Sequence, residues 1–379
     1  MAQRLRLKRH QWAGVYTADF TLDGFRRRGH QLAEVLRRQN WSCLIAHDTR
    51  FMAGQFARYA YRYLEAHGVR VCYCPTPAPF PAVELALEQK RADTALIVSA
   101  GNRPFWYNGM IVLVPPTDEA LLEGEPPWDE EDDGLPFPPP PLESSECTQV
   151  DLRTPYLETL RASVDIDLIR RTTLTVFVDP MNGTTSGYVP AALAEGGQTK
   201  AIEINREVDP LFGSQPPLPA EASLNRLRKL VKESDSHLGI ALSADGRAIG
   251  VADNAGEIVP PLELALVLAH YLSRQYRQRG LVVVPRPQEA AGLDATLRAW
   301  EAAAALKVEL ADDPAARIAE LLSQDRNSVL VGATAGGEVT LGRYSASPDA
   351  VLAALLLIEL VARSSSKLRT IVDELKGTA

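Results

Sequence analysis

Two periods of hydrophobic and polar residues alternate along this chain. From Phe20 through Leu36 the apolar positions recur every three to four residues, the spacing of a helix with one buried face. The same period predicts helices over Gly54–His67 (closed by Gly68), Ala82–Lys90 and Pro155–Arg161, and one ending at Gln278. It predicts further helices around Leu293–Ala305, over Pro348–Ala362, and near Ser366–Lys376. Between them lie short apolar runs of strand length: Ser42–Ala46, Val69–Tyr73, Leu96–Val98, Leu174–Val178, Leu238–Leu242, Leu281–Val284 and Val329–Val331. Strands alternating with helices predict an α/β layered fold. A chain of 379 residues is too long for one ordinary core, so several domains are expected.

One stretch breaks the rhythm. Residues 115–146 are acidic and Pro-rich, with Trp128 followed by five consecutive carboxylates and four prolines from Pro138 to Pro141. Such a composition carries too little apolar surface to order itself, so the segment is expected to be a linker or disordered insertion. The expected boundaries are 1–114, the insertion at 115–150, then 151–256 and 257–379. The insertion also distorts the charge. It holds eleven acidic residues up to Cys147 and no Lys or Arg; taking these from the net −8 leaves +3. No basic stripe interleaves with aromatics, so nucleic-acid binding has no support.

Hydrophobic residues make up 46% of the chain and charged residues 23%, the balance of a soluble globular protein. The longest apolar run, Val351–Ala362, is interrupted by Glu359 and too short to span a bilayer. The first eleven residues are basic, with no apolar segment behind them to read as a signal peptide. Cys72 and Cys74 fall on alternate strand positions with no second pair at zinc spacing, which suits buried thiols. A reduced, cytoplasmic setting is expected. His47, His67, His237 and His270 show no metal-ligand spacing.

The most telling segment is Leu96–Val112, LIVSAGNRPFWYNGMIV. An apolar strand enters a loop of small, turn-forming residues and leaves through Tyr107-Asn108-Gly109. This loop resembles the active-serine loop of the α-D-phosphohexomutases, the phosphoglucomutase and phosphomannomutase family, which reads T-A-S-H-N-P-x-x-Y-N-G. Other segments follow in that family's order. Trp12, Gly14 and Asp19-Phe20-Thr21 are similar to its N-terminal loop, and Asp48-Thr49-Arg50 to its G-R-D-T-R. Asp179 to Gly183 is similar to its D-P-M-H-G. Phe212-Gly213 with Pro217 and Pro219, and Asp349 to Glu359, are similar to later motifs. The resemblance implies three consecutive α/β/α domains, each a mixed sheet flanked by helices. It also implies a fourth domain with a phosphate-binding loop, and the chain is expected to lack it, ending at Ala379.

The resemblance further implies where chemistry would reside, and there the residues depart from it. The phosphoryl-carrying serine falls on Gly101, which has no side-chain oxygen. Ser99, two residues upstream, is a weak substitute, or else a strand-end hydroxyl bonded to backbone. The metal loop, D-G-D-x-D-R in the family, falls on Ser243, Asp245 and Arg247. One carboxylate beside a guanidinium does not suit Mg²⁺, so no metal and no cofactor are expected. Arg247 either pairs with Asp245 or belongs to an exposed turn. A family Arg falls on Ala13 and a family Lys on Ile111. The sugar-selecting loop falls on Gly332-Ala333-Thr334-Ala335-Gly336-Gly337, with Ala in place of its Glu and Ser. Asn102, Arg103, Asn108 and Arg50 are the surviving candidates for binding a ligand. Arg103 also reads as a surface residue and Arg50 as a scaffold ion pair.

Three classes of function stay open. The first is a catalytically inactive relative acting as an interaction or regulatory protein, on an active mutase homologue or another protein. The second is a sensor of a sugar phosphate or other anionic small molecule. The third is a divergent phosphohexomutase. The losses fall on chemistry while the scaffold persists, which favours the first.

Overall fold

The structure is a computed structural model. It describes residues 7–117, 121–122, 135–143, 145, 147–194, 196–286, 306–364 and 366–376. The helix expected around Leu293–Ala305 lies outside the described residues. Two compact units emerge. One comprises Met1–Tyr156 with Asn182–Thr184 and Val208–Pro217; the other comprises Leu157–Met181, Thr185–Glu207 and Leu218–Ala379.

The first unit is built on one mixed sheet. Its strands are β1 (Lys8–Val15), β2 (Cys43–His47), β3 (Val71–Tyr73), β4 (Thr94–Val98) and β5 (Tyr107–Val114), in the spatial order β1-β5-β4-β2-β3. β3, β2 and β4 run parallel, and β5 and β1 run antiparallel. β1 escaped the sequence pattern because KRHQWAGV has no clean alternation; it is a strand because all eight of its residues pair with β5. Helices α1 (Leu22–Gln39), α2 (Ala53–Ala66) and α3 (Phe80–Glu88) link the strands. Thr21 starts α1, its hydroxyl accepting the Gly24 amide at 3.0 Å. Phe20, Phe25, Phe56 and Tyr59 pack ring against ring in the core.

The second unit carries two sheets. The first holds β6 (Thr175–Asp179), β7 (Lys200–Glu203), β8 (Leu238–Leu242), β9 (Ile249–Ala252) and β10 (Ile258–Val259), in the order β10-β9-β8-β6-β7. The second holds β11 (Leu281–Pro285), β12 (Lys307–Ala311), β13 (Val329–Ala333) and β14 (Val339–Thr340), in the order β12-β11-β13-β14. The helix Ala350–Ser364 is apolar nearly all round and buried from Ala350 to Ala362. Its Glu359 is fully buried, yet accepts hydrogen bonds from Tyr271, Tyr276 and Arg363.

The three sheets share one plan. In each, three parallel strands are followed by an antiparallel one, and a turn joins the third parallel strand to it: β4 to β5, β8 to β9, β13 to β14. Those parallel strands, β4, β8 and β13, are buried at every position. The turns that follow them hold the Gly101 loop, Ser243–Ala248 and Thr334–Glu338.

The expectation for 115–146 needs correction wherever the segment is described. Leu121 and Leu122 are 1% and 4% exposed and belong to the core of the first unit. The Phe137 ring lies 4.7 Å from that of Phe56 and 5.9 Å from that of Tyr59, and Leu135 and Leu142 pack nearby. The segment is poor in apolar residues on average, but the few it has are placed on the core. Cys72 and Cys74 are buried free thiols, as expected, although Cys74 lies just past β3; Cys43 is buried and free as well.

Candidate functional site

β4 delivers Ser99, Ala100 and Gly101 in succession. Ser99 is completely buried; its hydroxyl accepts the Gly101 amide at 3.0 Å and bonds to the Asp48 carboxylate. Gly101 has φ +59, the left-handed region that favours glycine. There is nonetheless room at this position: a Cβ there would meet only the Arg9 guanidinium, at 3.6 Å. The chain leaves through Gly109, where a Cβ would lie 2.6 Å from the Trp12 carbonyl oxygen and 2.7 Å from that of Ser99. No other residue fits that approach.

Arg50 holds the loop from inside. Its Nε donates to Asp48 Oδ2 at 3.1 Å. One terminal nitrogen donates to the carbonyls of Pro104 (2.7 Å) and Tyr107 (3.1 Å), and the other to those of Gly101 (2.7 Å) and Arg103 (2.6 Å). All five guanidinium N–H groups are thus engaged. The side chain is 1% exposed, and Phe212 covers it with its ring centre 5.1 Å away. Burial pushes the Asp48 carboxyl up, and Arg50 partly offsets this. Burial also holds His47 below the usual imidazole range, its Nδ1 bonding to the Asp48 carbonyl at 2.8 Å.

The candidates from sequence therefore divide. Arg50 is not available to grip a ligand, because every donor it has is spent on the loop. Asn108, 1% exposed, is also inward: its amide donates to the Phe51 carbonyl at 3.0 Å and its Oδ1 accepts the Gly109 amide at 2.9 Å. Ser99 is sealed from solvent, a strand-end hydroxyl bonded to the Gly101 amide. Asn102 is half-buried, and its Oδ1 lacks a hydrogen-bond partner among the described residues. Arg103 alone of these candidates projects outward, its guanidinium 5.3 Å from the Tyr107 ring centre. The motif Asp48-Thr49-Arg50 named Asp48 from sequence, but not its place as the partner of both Ser99 and Arg50. Pattern reading missed Arg9, for which the basic N-terminal stretch was the only signal. Phe51 and Trp106, flanking the loop, are 55% and 50% exposed.

In the second unit the turn Ser243–Ala248 is buried, not exposed, and Arg247 pairs away from Asp245. The Ser243 hydroxyl donates to Asp245 Oδ1 at 2.6 Å and accepts the amides of Arg247 (3.1 Å) and Ala248 (2.9 Å). Asp245 Oδ1 also accepts the Arg247 amide at 3.1 Å. Asp245 Oδ2 is buried without a hydrogen-bond partner among the described residues. The Arg247 guanidinium forms an ion pair with Glu338, 3.2 Å away. Such a donor set does not fit a divalent cation: one carboxylate, one committed hydroxyl and a guanidinium. Among the described residues, no three His, Cys, Asp or Glu side chains gather as metal ligands. The Thr334–Glu338 turn closes on itself, Thr334 Oγ1 accepting the Glu338 amide at 3.2 Å, and its Ala335 brings no polar group. No described helix is long and apolar enough to cross a membrane.

The chain is similar to known proteins over most of its length. The family models described as phosphoglucomutase/phosphomannomutase, alpha/beta/alpha domains I and II, match residues 5–121 and 154–256. A phosphoglucomutase/phosphomannomutase of Thermococcus kodakarensis is 26% identical over 305 residues, covering 79% of this chain and 64% of the relative. A phosphoglucosamine mutase of Limosilactobacillus reuteri is 25% identical over 358 residues, covering 92% of this chain and 75% of the relative. The chain thus spans roughly two thirds to three quarters of these relatives. Among solved structures, a protein described as a phosphomannomutase from Thermus thermophilus superposes with a TM-score of 0.82 at 22% identity, over 100% of this chain and 85% of that one. A phosphoglucomutase/phosphomannomutase family protein of Burkholderia thailandensis gives 0.72 at 18% identity, over 99% of this chain and 79% of that one. The two domain models together cover more than half of the sequence, and the loops at Gly101 and Ser243 lie within them; the chain belongs to the α-D-phosphohexomutase family.

Proposed function

We propose that this chain is a family member that performs no phosphoryl transfer on sugars and acts instead through contact with another protein, an active mutase homologue foremost. One observation carries the reading: the loop at Gly101 offers no side-chain oxygen to solvent where the resemblance places the phosphoryl carrier. Gly101 has none, and the Ser99 hydroxyl is sealed between the Gly101 amide and Asp48. A nucleophile must lie within about 3–3.5 Å of the atom it attacks, and a completely buried hydroxyl cannot approach a soluble sugar phosphate. Ile111, at the position of a family Lys, is also completely buried and has no proton to move. Ser99 and Asn108 serve the loop's own shape, while Trp106 and Phe51 face outward. Aromatic and Arg side chains are the usual anchors of protein interfaces.

A second reading has an observation of its own. Arg9 reaches the Gly101 position and Arg103 projects beside it, two cations that suit an anionic small molecule. Both readings face the same assay. Purified protein is incubated with glucose 1-phosphate, mannose 1-phosphate or glucosamine 1-phosphate, with glucose 1,6-bisphosphate and Mg²⁺. No 6-phosphate product above the buffer rate is expected. Turnover that scales with protein and disappears in Ser99→Ala would overturn the inactive reading and leave a divergent mutase.

A further inference from the structure

We infer that the turn Ser243–Ala248 takes up no divalent cation and is closed from within, Arg247 being latched onto Glu338 so that this turn and the β13–β14 turn open only together. The inference deepens the inactive reading above and rests on it. The Ser243 hydroxyl has one proton and two lone pairs, and all are engaged: it donates to Asp245 and accepts two amides. Asp245 Oδ1 accepts the Ser243 hydroxyl and the Arg247 amide. Only Asp245 Oδ2 is left, and a hard cation needs about six oxygen ligands. Arg247 supplies a permanent positive charge in the same turn, which repels a second cation.

Several contacts within this one unit build the latch. Arg247 and Glu338 pair at 3.2 Å with side chains only 16% and 19% exposed, so solvent screens them less than a surface pair. The backbones are zipped beside them: the Ile249 amide donates to the Gly337 carbonyl at 2.9 Å, and Ala248 bridges Glu338. At Gly337, φ is +80 and a Cβ would lie 2.6 Å from the Ile249 carbonyl oxygen, so the approach requires glycine. A further bond runs from the Ala350 amide to the Gly246 carbonyl at 3.0 Å, anchoring the turn to the start of a buried helix.

Hydrogen exchange on the full chain tests both halves. Peptides covering 243–252 and 334–340 are followed in wild type, Arg247→Ala, Glu338→Ala and the double variant. Each single substitution is expected to speed exchange in both segments by roughly tenfold, the worth of one charged hydrogen bond. The double variant is expected to be no faster than either single one. If Arg247→Ala fails to fold, Glu338→Gln carries the same comparison. Millimolar Mg²⁺ or Mn²⁺ is expected to change neither exchange nor Tm in wild type. Faster exchange confined to the segment bearing the substitution refutes the latch. A Mg²⁺-dependent rise in Tm, lost in Asp245→Asn, refutes the closed turn. Sugar-phosphate turnover without added metal would sink the inactive reading while leaving the latch intact.

Discussion

Replacing Arg50 by alanine tests whether the Gly101 loop is held from inside. The substitution removes five donors at once. It leaves the buried Asp48 carboxylate without its guanidinium and strips the carbonyls of Gly101, Arg103, Pro104 and Tyr107 of theirs. Removing one partner of a buried ion pair costs about 3–5 kcal/mol. The Pro104 carbonyl keeps the Tyr107 amide, but a carbonyl left with no donor adds about 1–3 kcal/mol. Arg103 lies at the surface, however, so water can reach part of the vacated space and the total is held near about 4 kcal/mol. For a unit of this size that corresponds to a fall in Tm of about 8–16 °C. Arg50→Lys keeps the charge but offers three donors for the same acceptors, and is expected to cost about 2 kcal/mol. Urea denaturation gives the energies, and hydrogen exchange across 99–109 shows whether the loop loosens first. A loss below about 1 kcal/mol in Arg50→Ala would refute the internal brace.

Three further outcomes follow from the same unit. Phe137→Ala is expected to destabilise by about 2 kcal/mol, since its half-buried ring packs on Phe56 and Tyr59, and deleting 118–143 is expected to cost more because Leu121 and Leu122 go with it; a deletion variant with wild-type Tm would restore the free-linker expectation. Burial pushes the Cys43 thiol up from 9.0 to about 12, so the unfolded chain releases this proton first. Stability is therefore full below pH 9 and falls between about 9 and 12, by about 1.4 kcal/mol per pH unit for this group. A pH series of urea melts in which Cys43→Ala shows the same alkaline slope as wild type would refute the assignment.

Much of the fold was legible because its main strands are short, apolar and bounded by turns. What the pattern missed were strands whose pairing, not composition, makes them strands. β1 is polar and intermittently buried, and β7 has two exposed positions, including Ile202. Periodicity reports burial, and neither strand is continuously buried. The insertion was misjudged for a related reason. An average over 115–146 hides Leu121, Leu122 and Phe137, which act singly. At the candidate site, the residue types in the loop were readable but their direction was not. Asn108 and Arg50 look the same in sequence whether they face a ligand or the loop's own carbonyls. Only the network around Asp48 shows that they face inward. Likewise Arg247 lies two residues from Asp245, yet its partner is Glu338, ninety-one positions away.

The shared plan of the three sheets bears on how a fold of this kind could change its chemistry and keep its shape. Each turn of interest is a span clamped at both ends by a ladder: Val98 to Met110, Leu242 to Ile249, Ala333 to Val339. The clamps belong to buried strands, and the span between them contributes little to the sheet. Such a turn behaves as a replaceable fitting on a fixed socket. Its side chains can be exchanged while the clamps hold, provided each new filling satisfies the backbone it spans. Arg50, reaching in from the segment after β2, does so for the first turn, and Ser243 and Thr334 do so within the second and third. A phosphohexomutase scaffold is in this sense separable from its reaction: the first fitting can drift to a new use by itself, while the second and third, tied through Arg247 and Glu338, drift as a pair.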